Sequence, residues 1–272
     1  TALASTAILI ASALGGGAMF ALNGLGKNIH TIDTSDLGDQ EFVYAGDTSA
    51  TNFLIMGSDT REGQGTGFGD VGGARSDTTL LIHLYEGRRQ ALVVSIPRDS
   101  FVKISPCKGK DGKQFGSWET KFNAAFSVGG PVCTIKTIQD LTGIQINQFA
   151  VVDFNAFKTV VDAVGGVQVC FTTPVYDPYV PGRGGSGLNL PAGYSTISGK
   201  QALAYVRARE SIGDGSDLGR IERQQAFLKS MIRGIESKGV LTNPRLVYKM
   251  LEAVTESLAT SSNLASIQTL SD

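Results

Sequence analysis

The chain has 272 residues and nearly balanced charge, with 24 lysines and arginines against 25 aspartates and glutamates for a net charge of −1. That balance excludes bulk nucleic-acid binding, so recognition of an anion has to be local. The three cysteines form no C-x-x-C pair and the two histidines do not cluster, which argues against a zinc site.

Thr1 to Gly26 contains no charged residue, and its modest hydrophobicity comes more from alanine and glycine than from leucine. Its length suits a membrane-spanning helix of about 20 residues, and the uninterrupted run favours an anchor over a cleaved signal peptide. Residues 27–50 are polar and mixed and read as a linker. Residues 51–272 are long enough to bury a full core as one domain. A single N-terminal anchor followed by such a domain places the domain on the extracellular side of the cell membrane.

Phe53–Met56 is predicted as a strand. Thr78–Tyr85 and Ala91–Ile96 are two more, joined by the turn Glu86-Gly87-Arg88-Arg89 and apolar on nearly every residue. They are expected as a hairpin in the middle of a sheet. Helical patterns follow around Thr120–Phe126 and Cys133–Thr142, then a strand at Phe149–Asp153, a helix at Asn155–Val164 ended by Gly165-Gly166, and a strand at Val167–Phe171. Residues 172–198 are rich in Pro, Gly, Asp and Tyr and read as a long loop near the site. Past Ser198 the chain is helical: Leu218, Ile221, Gln225, Leu228, Ile232 and Ile235 repeat at helical spacing, with Asp217 as the expected cap. A last helix follows Asn243-Pro244. This alternation predicts a layered α/β/α domain with a central mixed sheet. Cys107 and Cys133 bracket the loop Lys108–Trp118, which a disulfide would pin in an oxidising compartment. Cys170 ends an apolar run and is expected as a buried thiol.

Three motifs fall at strand ends: Gly57-Ser58-Asp59-Thr60-Arg61, Arg75-Ser76-Asp77-Thr78-Thr79 and Ser95-Ile96-Pro97-Arg98-Asp99. Each sets a carboxylate beside an arginine, at the ends of strands, where layered α/β domains place ligands. Between the first two lies the glycine-rich loop Glu62–Ala74, which lacks the Gly-Lys-Ser/Thr ending of a phosphate-binding Walker loop. Two aspartates meeting in space would hold a hard cation such as Mg²⁺, and nearby arginines would neutralise phosphate charge. Arginines gather again at Arg207, Arg209, Arg220 and Arg223. Arg220 falls in a first helical turn, where free N–H groups favour an anion, and it shares a face with Gln224. Arg207 and Arg209 are two apart, so they converge only if their helix ends between them. Turn aspartates bonding their own backbone, and a solvated basic helix face, are the plainer readings of the same residues.

The segments NFLIMGSDTR, RSDTTLLIHL, ALVVSIPRD, KFNAAFSVGG, FAVVDFNAFKTVVDAVGGVQV, GKQALAYVRARE and DLGRIERQQAFL, taken together and in this order over roughly residues 52–240, resemble the LytR-CpsA-Psr family of cell-envelope proteins, in its actinobacterial form. The resemblance implies a membrane-anchored phosphotransferase that moves a phosphate-linked glycopolymer from a polyprenyl pyrophosphate carrier onto a hydroxyl of peptidoglycan or a surface protein. It implies Mg²⁺ (or Mn²⁺) at Asp59 and Asp77. It assigns the pyrophosphate to Arg98, Arg207, Arg209, Arg220 and Gln224, with Arg61, Arg75 and Arg223 in the same motifs, and the carrier's apolar tail to a pocket between sheet and helices. His30 and His83 belong to no motif, so the base is expected to be a carboxylate, Asp77 or Asp99. Two other functions use the same arginines. One is a non-catalytic polyprenyl-phosphate-binding protein, and the other is a pyrophosphatase acting on the carrier.

Overall fold

Short apolar runs whose successive side chains point to opposite faces build the centre of the molecule. The computed structural model describes residues 30–37, 50–58, 76–88, 90–180, 185–208, 212–213, 215–237, 239, 242–256 and 258–260. The apolar segment 1–26 and the loop 62–74 lie outside them, and no helix among the described residues is long and apolar enough to cross a membrane.

In chain order the strands begin with β1 (His30–Thr31), β2 (Thr51–Ser58), β3 (Ser76–Leu84) and β4 (Ala91–Ile96). A small subdomain follows: β5 (Phe101–Ile104), β6 (Cys107–Lys108), β7 (Gln114–Phe115), β8 (Trp118–Lys121) and helix α1 (Asn123–Thr142). Then come β9 (Gln148–Asp153), α2 (Phe154–Ala163), β10 (Val167–Phe171), β11 (Val175–Asp177), β12 (Leu188–Leu190), β13 (Gly193–Ile197), α3 (Gly199–Arg207), α4 (Asp217–Ser237), α5 (Pro244–Glu256) and β14 (Leu258–Thr260). Six strands form the main sheet in the order β1-β14-β9-β2-β3-β4. β2 runs parallel to β9 and antiparallel to β3, so the expected mixed sheet is present.

Leu54 and Met56 of β2, Leu81 of β3, and Phe149 and Val151 of β9 share one face and pack with Phe122, Phe126, Ile135 and Ile138 into one core. The residues that alternate with them, Phe53, Ile55, Leu80, Ile82 and Val93, are half-buried on the other face. A second core joins α2, α3 and α4 to β10 and β13 through Val161, Val167, Ile197, Tyr205 and Phe227. Gly199 opens α3 hard against α2: a Cβ there would meet the Lys158 carbonyl oxygen at 2.2 Å. Ser198 and Gln201 close the start of α3 as a capping box.

Five expectations need correction. The strand Ala91–Ile96 is not central but forms an outer edge of the sheet, and Leu92 and Val94 are 50% and 44% exposed. A continuous apolar run fits an edge strand as well as a doubly covered one, and only Ile96 packs on the core. The two helical patterns join in one element, α1, broken at Gly130 (φ 66°, ψ −151°) just before Pro131, while Thr120 and Lys121, expected in the first of them, end strand β8. Residues 172–198 are not a loop throughout: β11 pairs with β12, and β13 returns antiparallel along β10. Their apolar residues Val175, Leu188, Leu190 and Ile197 are buried, hidden in the sequence among turn formers. Cys170 is exposed, because it lies on the outward side of β10, opposite Tyr194. The described part of the linker is docked on the domain: β1 pairs with β14, Ile32 donates to the Thr260 carbonyl at 2.9 Å, and Ile32 and Leu37 pack on the first core.

The Cys107–Cys133 disulfide is formed, with 5.4 Å between its Cα atoms. It staples the β6–β7 hairpin to α1. Gly129 makes room for it, since a Cβ there would meet Cys133 Cβ at 2.6 Å and the Lys108 carbonyl oxygen at 2.8 Å.

Candidate active site

Parallel pairing brings the C-terminal ends of β2 and β9 side by side, with Ser58 opposite Asp153. Antiparallel pairing adds the start of β3 and the end of β4 to the same edge of the sheet. All three Asp/Arg motifs therefore attach to one edge. Asp59 follows β2, Asp77 lies in the opening of β3, and Pro97-Arg98-Asp99 leaves β4.

The register there is irregular. Gly57 pairs with Thr78, but Ser58 pairs with Ser76, so Asp77 is the extra residue of a β-bulge. Bulges at strand ends re-aim a side chain and mark functional sites. The Ser58 hydroxyl is fully buried here and has no hydrogen-bond partner among the described residues. Asp153 is committed elsewhere, as its carboxylate accepts from the Ala156 N–H at 2.7 Å and caps α2.

Arg98 is partly buried, with its side chain 15% exposed, and Nε donates to Asp99 Oδ2 at 3.1 Å. Lys121 Nζ holds the other oxygen of Asp99 at 2.9 Å. The Lys121 hydrogen bond first, then the charge of Arg98, keep the Asp99 carboxyl below its ordinary value. A carboxylate neutralised by two cations is a weak proton acceptor, which speaks against Asp99 as a general base. Lys121 was not among the sequence candidates. Only the β5–β8 pairing, which sets it opposite Phe101, brings it to Asp99.

Helix α4 supplies the facing wall. Ser216 rather than Asp217 caps it: the Ser216 hydroxyl accepts from the Gly219 N–H at 3.0 Å, and its carbonyl accepts from the Arg220 N–H at 3.1 Å. Arg220, 7% exposed, and Gln224 line a narrow crevice with Arg98, Thr78, Thr79 and Ser95. Gln224 Nε2 also donates to the Val206 carbonyl at 3.3 Å, and Gln225 Nε2 donates to Ser95 Oγ at 3.3 Å. The crevice thus joins two cationic forks, an amide and three hydroxyls, a set suited to a phosphate group.

Helix α3 ends at Arg207, and the cap residue Ala208 is extended (φ −55°, ψ 134°), so the helix stops between Arg207 and Arg209 as convergence requires. The exposed Arg207 guanidinium lies 4.9 Å from the Phe154 ring centre, just past the end of β9. Arg223 does not line the crevice. It is 8% exposed and donates to the carbonyls of Ile212 and Ala208. Arg61, Arg75, Asp59 and Arg209 lie outside the described residues, and of Asp77 only the backbone is described. No group of three or more metal-ligating side chains occurs among the described residues. His83 is bonded to Asn52 at 2.7 Å near the opposite end of β3. A larger hollow of about 270 Å³ at Gln139, Gly143, Ile144 and Gln145 also lies toward that opposite end and carries no charged side chain.

The family model described as the LytR_cpsA_psr family matches residues 21–272. The chain belongs to the LytR_cpsA_psr family. Among its relatives, the "Probable cell wall biosynthesis protein LcpB" of Corynebacterium glutamicum is 37% identical over 213 residues, or 75% of this chain and 46% of the relative. The chain therefore spans about half the length of that relative. The "Polyisoprenyl-teichoic acid--peptidoglycan teichoic acid transferase TagU" of Bacillus subtilis is 32% identical over 89% of this chain and 70% of its own length. Among solved structures, protein gbs0355 from Streptococcus agalactiae superposes with a TM-score of 0.68 at 27% identity, covering 82% of this chain and 71% of the other. The mixed α/β fold with its central mixed sheet is thus shared with that solved structure.

Proposed function

We propose that this chain is an extracellular, membrane-anchored transferase that moves a phosphate-linked glycopolymer from a polyprenyl pyrophosphate carrier onto a hydroxyl of peptidoglycan or of a surface protein. The observation that carries this reading is the convergence of Arg98, Arg220 and Gln224 in one crevice at the sheet edge where the Asp59 and Asp77 motifs also end. Membership of a family whose relatives include a protein named as a teichoic acid transferase supports the same reading. The half-buried apolar face of Phe53, Ile55, Leu80, Ile82 and Val93 offers a greasy surface suited to the carrier's tail.

The chemistry is a phosphoryl transfer. The acceptor hydroxyl oxygen forms a bond to the glycan-bearing phosphorus, the bridging P–O bond breaks, and polyprenyl monophosphate leaves with the bonding electrons. Arg98 and Arg220 orient the pyrophosphate and balance its charge, and positioning supplies much of the rate. The acceptor proton passes to a carboxylate; Lys121 and Arg98 disfavour Asp99 in that role, and Asp77 could take it only through an oxygen that does not bind the cation proposed below. Asp59 and Asp77 would hold Mg²⁺ or Mn²⁺. The bulge that leaves Asp77 unpaired beside Ser58, the residue before Asp59, fits such a shared ligand role. When bound, the cation would neutralise phosphate charge beside two carboxylates.

The test is incubation of the chain with a polyprenyl pyrophosphate-linked glycan and isolated peptidoglycan. Appearance of wall-linked phosphate-glycan together with polyprenyl monophosphate supports transfer. Release of soluble glycan phosphate without an acceptor would replace it with a hydrolase, and tight carrier binding with no turnover would replace it with a lipid-binding protein.

A further inference from the structure

Arg223 is a buried cation in no ion pair with a described carboxylate. Burial, reinforced by the charge of Arg220, lowers its proton affinity, and Nε has no hydrogen-bond partner among the described residues. Such a group is costly to keep unless its donors satisfy something important. They do. Nη1 donates to the Ile212 carbonyl at 2.9 Å and Nη2 donates to the carbonyl of Ala208, a residue only 1% exposed that closes α3. The guanidinium carbon lies 6.0 Å from the ring centre of Tyr205, one turn earlier on α3. The neighbouring Gln224 holds the Val206 carbonyl. Arg223 and Gln224 of α4 thus fasten the chain at 206, 208 and 212, around the segment that carries Arg207 and Arg209.

We propose that Arg223 is a positioning residue whose planar fork fastens the C-terminal end of α3 at Ala208, and the chain at Ile212, onto α4 beside the crevice residues Arg220 and Gln224. This rests on the phosphate-binding reading of the crevice, but it takes Arg223 out of the set that touches phosphate. One guanidinium spans two carbonyls four residues apart, whereas a lysine keeps the charge but not the fork.

The full chain and its Arg223→Lys variant are compared by backbone hydrogen exchange and by titration with inorganic pyrophosphate. In the variant, the amides at the end of α3, 206–208, are expected to exchange about tenfold faster or more, with β2 and β9 unchanged, and pyrophosphate affinity to fall about tenfold although the charge is retained. Unchanged exchange with lost affinity would overturn the proposal and make Arg223 a direct ligand; no change in either would overturn it as well. If Arg223→Lys does not fold, a crystal structure of the unsubstituted chain soaked in pyrophosphate decides. The guanidinium on the Ala208 and Ile212 carbonyls and away from phosphate oxygens upholds the clamp, and a guanidinium turned onto phosphate sinks it. If neither chain binds pyrophosphate, the phosphate reading of the crevice fails on its own, and the exchange measurement alone decides the clamp.

Discussion

Ser95 and Gln225 stand 130 residues apart in the chain and meet through a hydrogen bond of 3.3 Å. This contact ties the edge strand β4 to helix α4 beside the crevice, so the wall bearing Arg98 and the wall bearing Arg220 are held together by the fold before any ligand arrives. Such pre-set geometry is what a reaction governed by charge and positioning requires.

Arg98 and Arg220 should therefore act as a pair on the anion. Arg98→Ala and Arg220→Ala are each expected to weaken pyrophosphate binding by about 10- to 100-fold, the size of one or two charge-assisted hydrogen bonds. The double variant should lose less than the product of the single losses, because the two groups share one ligand. Calorimetric titration of the three proteins with pyrophosphate checks this. Strict multiplicativity would mean that the two arginines serve separate sites.

Asp99 gives a pH-dependent test. Its folded carboxyl titrates below its ordinary value, chiefly through the Lys121 hydrogen bond. A depressed carboxylate stabilises the fold above the unfolded value and loses that contribution as pH falls through the folded one. Asp99→Asn should thus cost at most about 1 kcal/mol at neutral pH, since Lys121 is largely exposed. The difference from the unsubstituted chain should shrink below about pH 4. Thermal unfolding at stepped pH reads both features, and a gap that widened on acidification would contradict the assignment.

The strands of the sheet were legible because their apolar runs are short and bounded by turn residues, as at Thr51–Ser58 and Gln148–Asp153. The pairing of the Asp/Arg motifs at one edge was legible for the same reason, since each motif abuts a strand. Edge position was not, because Leu92 and Val94 look the same in sequence whether a neighbouring strand covers them or not. The separate fates of Arg220 and Arg223 were hidden as well. The residues are three apart on one helix, and only the packing of the Ala208 and Ile212 carbonyls on α4 decides which of them faces the crevice and which faces backbone carbonyls. Lys121 was invisible because its contact with Asp99 comes from strand pairing across 22 residues of chain, and no helical or strand period records it.

The disulfide closes a loop with a sequence separation of 26, and both sulfurs belong to buried residues. Loop-closure entropy for that length is worth about 3 kcal/mol. Replacing Cys107 and Cys133 together by alanine should lower the melting temperature by roughly 6–12 °C in a domain of this size. Differential scanning of the double variant beside the parent under reducing conditions measures it. If the reduced parent and the variant melted with the oxidised parent, the staple would have no stabilising role.

Asp77 decides whether a cation takes part. Its backbone is the unpaired residue of the bulge opposite Ser58, and Asp59 is the next residue along β2's path. If both carboxylates face the anion proposed for the crevice, they would repel it unless a cation stood between them. Asp77→Asn keeps the shape and removes one charge, so the fold should survive with an unchanged unfolding midpoint. Two opposite effects on the ligand then follow. Binding of pyrophosphate without added metal should tighten severalfold in the variant, because a repulsive charge is gone, whereas the gain in affinity that Mg²⁺ or Mn²⁺ gives the parent should fall by about tenfold or more. Titrations of both proteins with pyrophosphate, in chelator and in excess Mg²⁺, separate the two effects. If the parent binds equally well in chelator and in Mg²⁺, Asp59 and Asp77 serve the turns of the sheet edge, and the arginines of the crevice carry the phosphate charge alone.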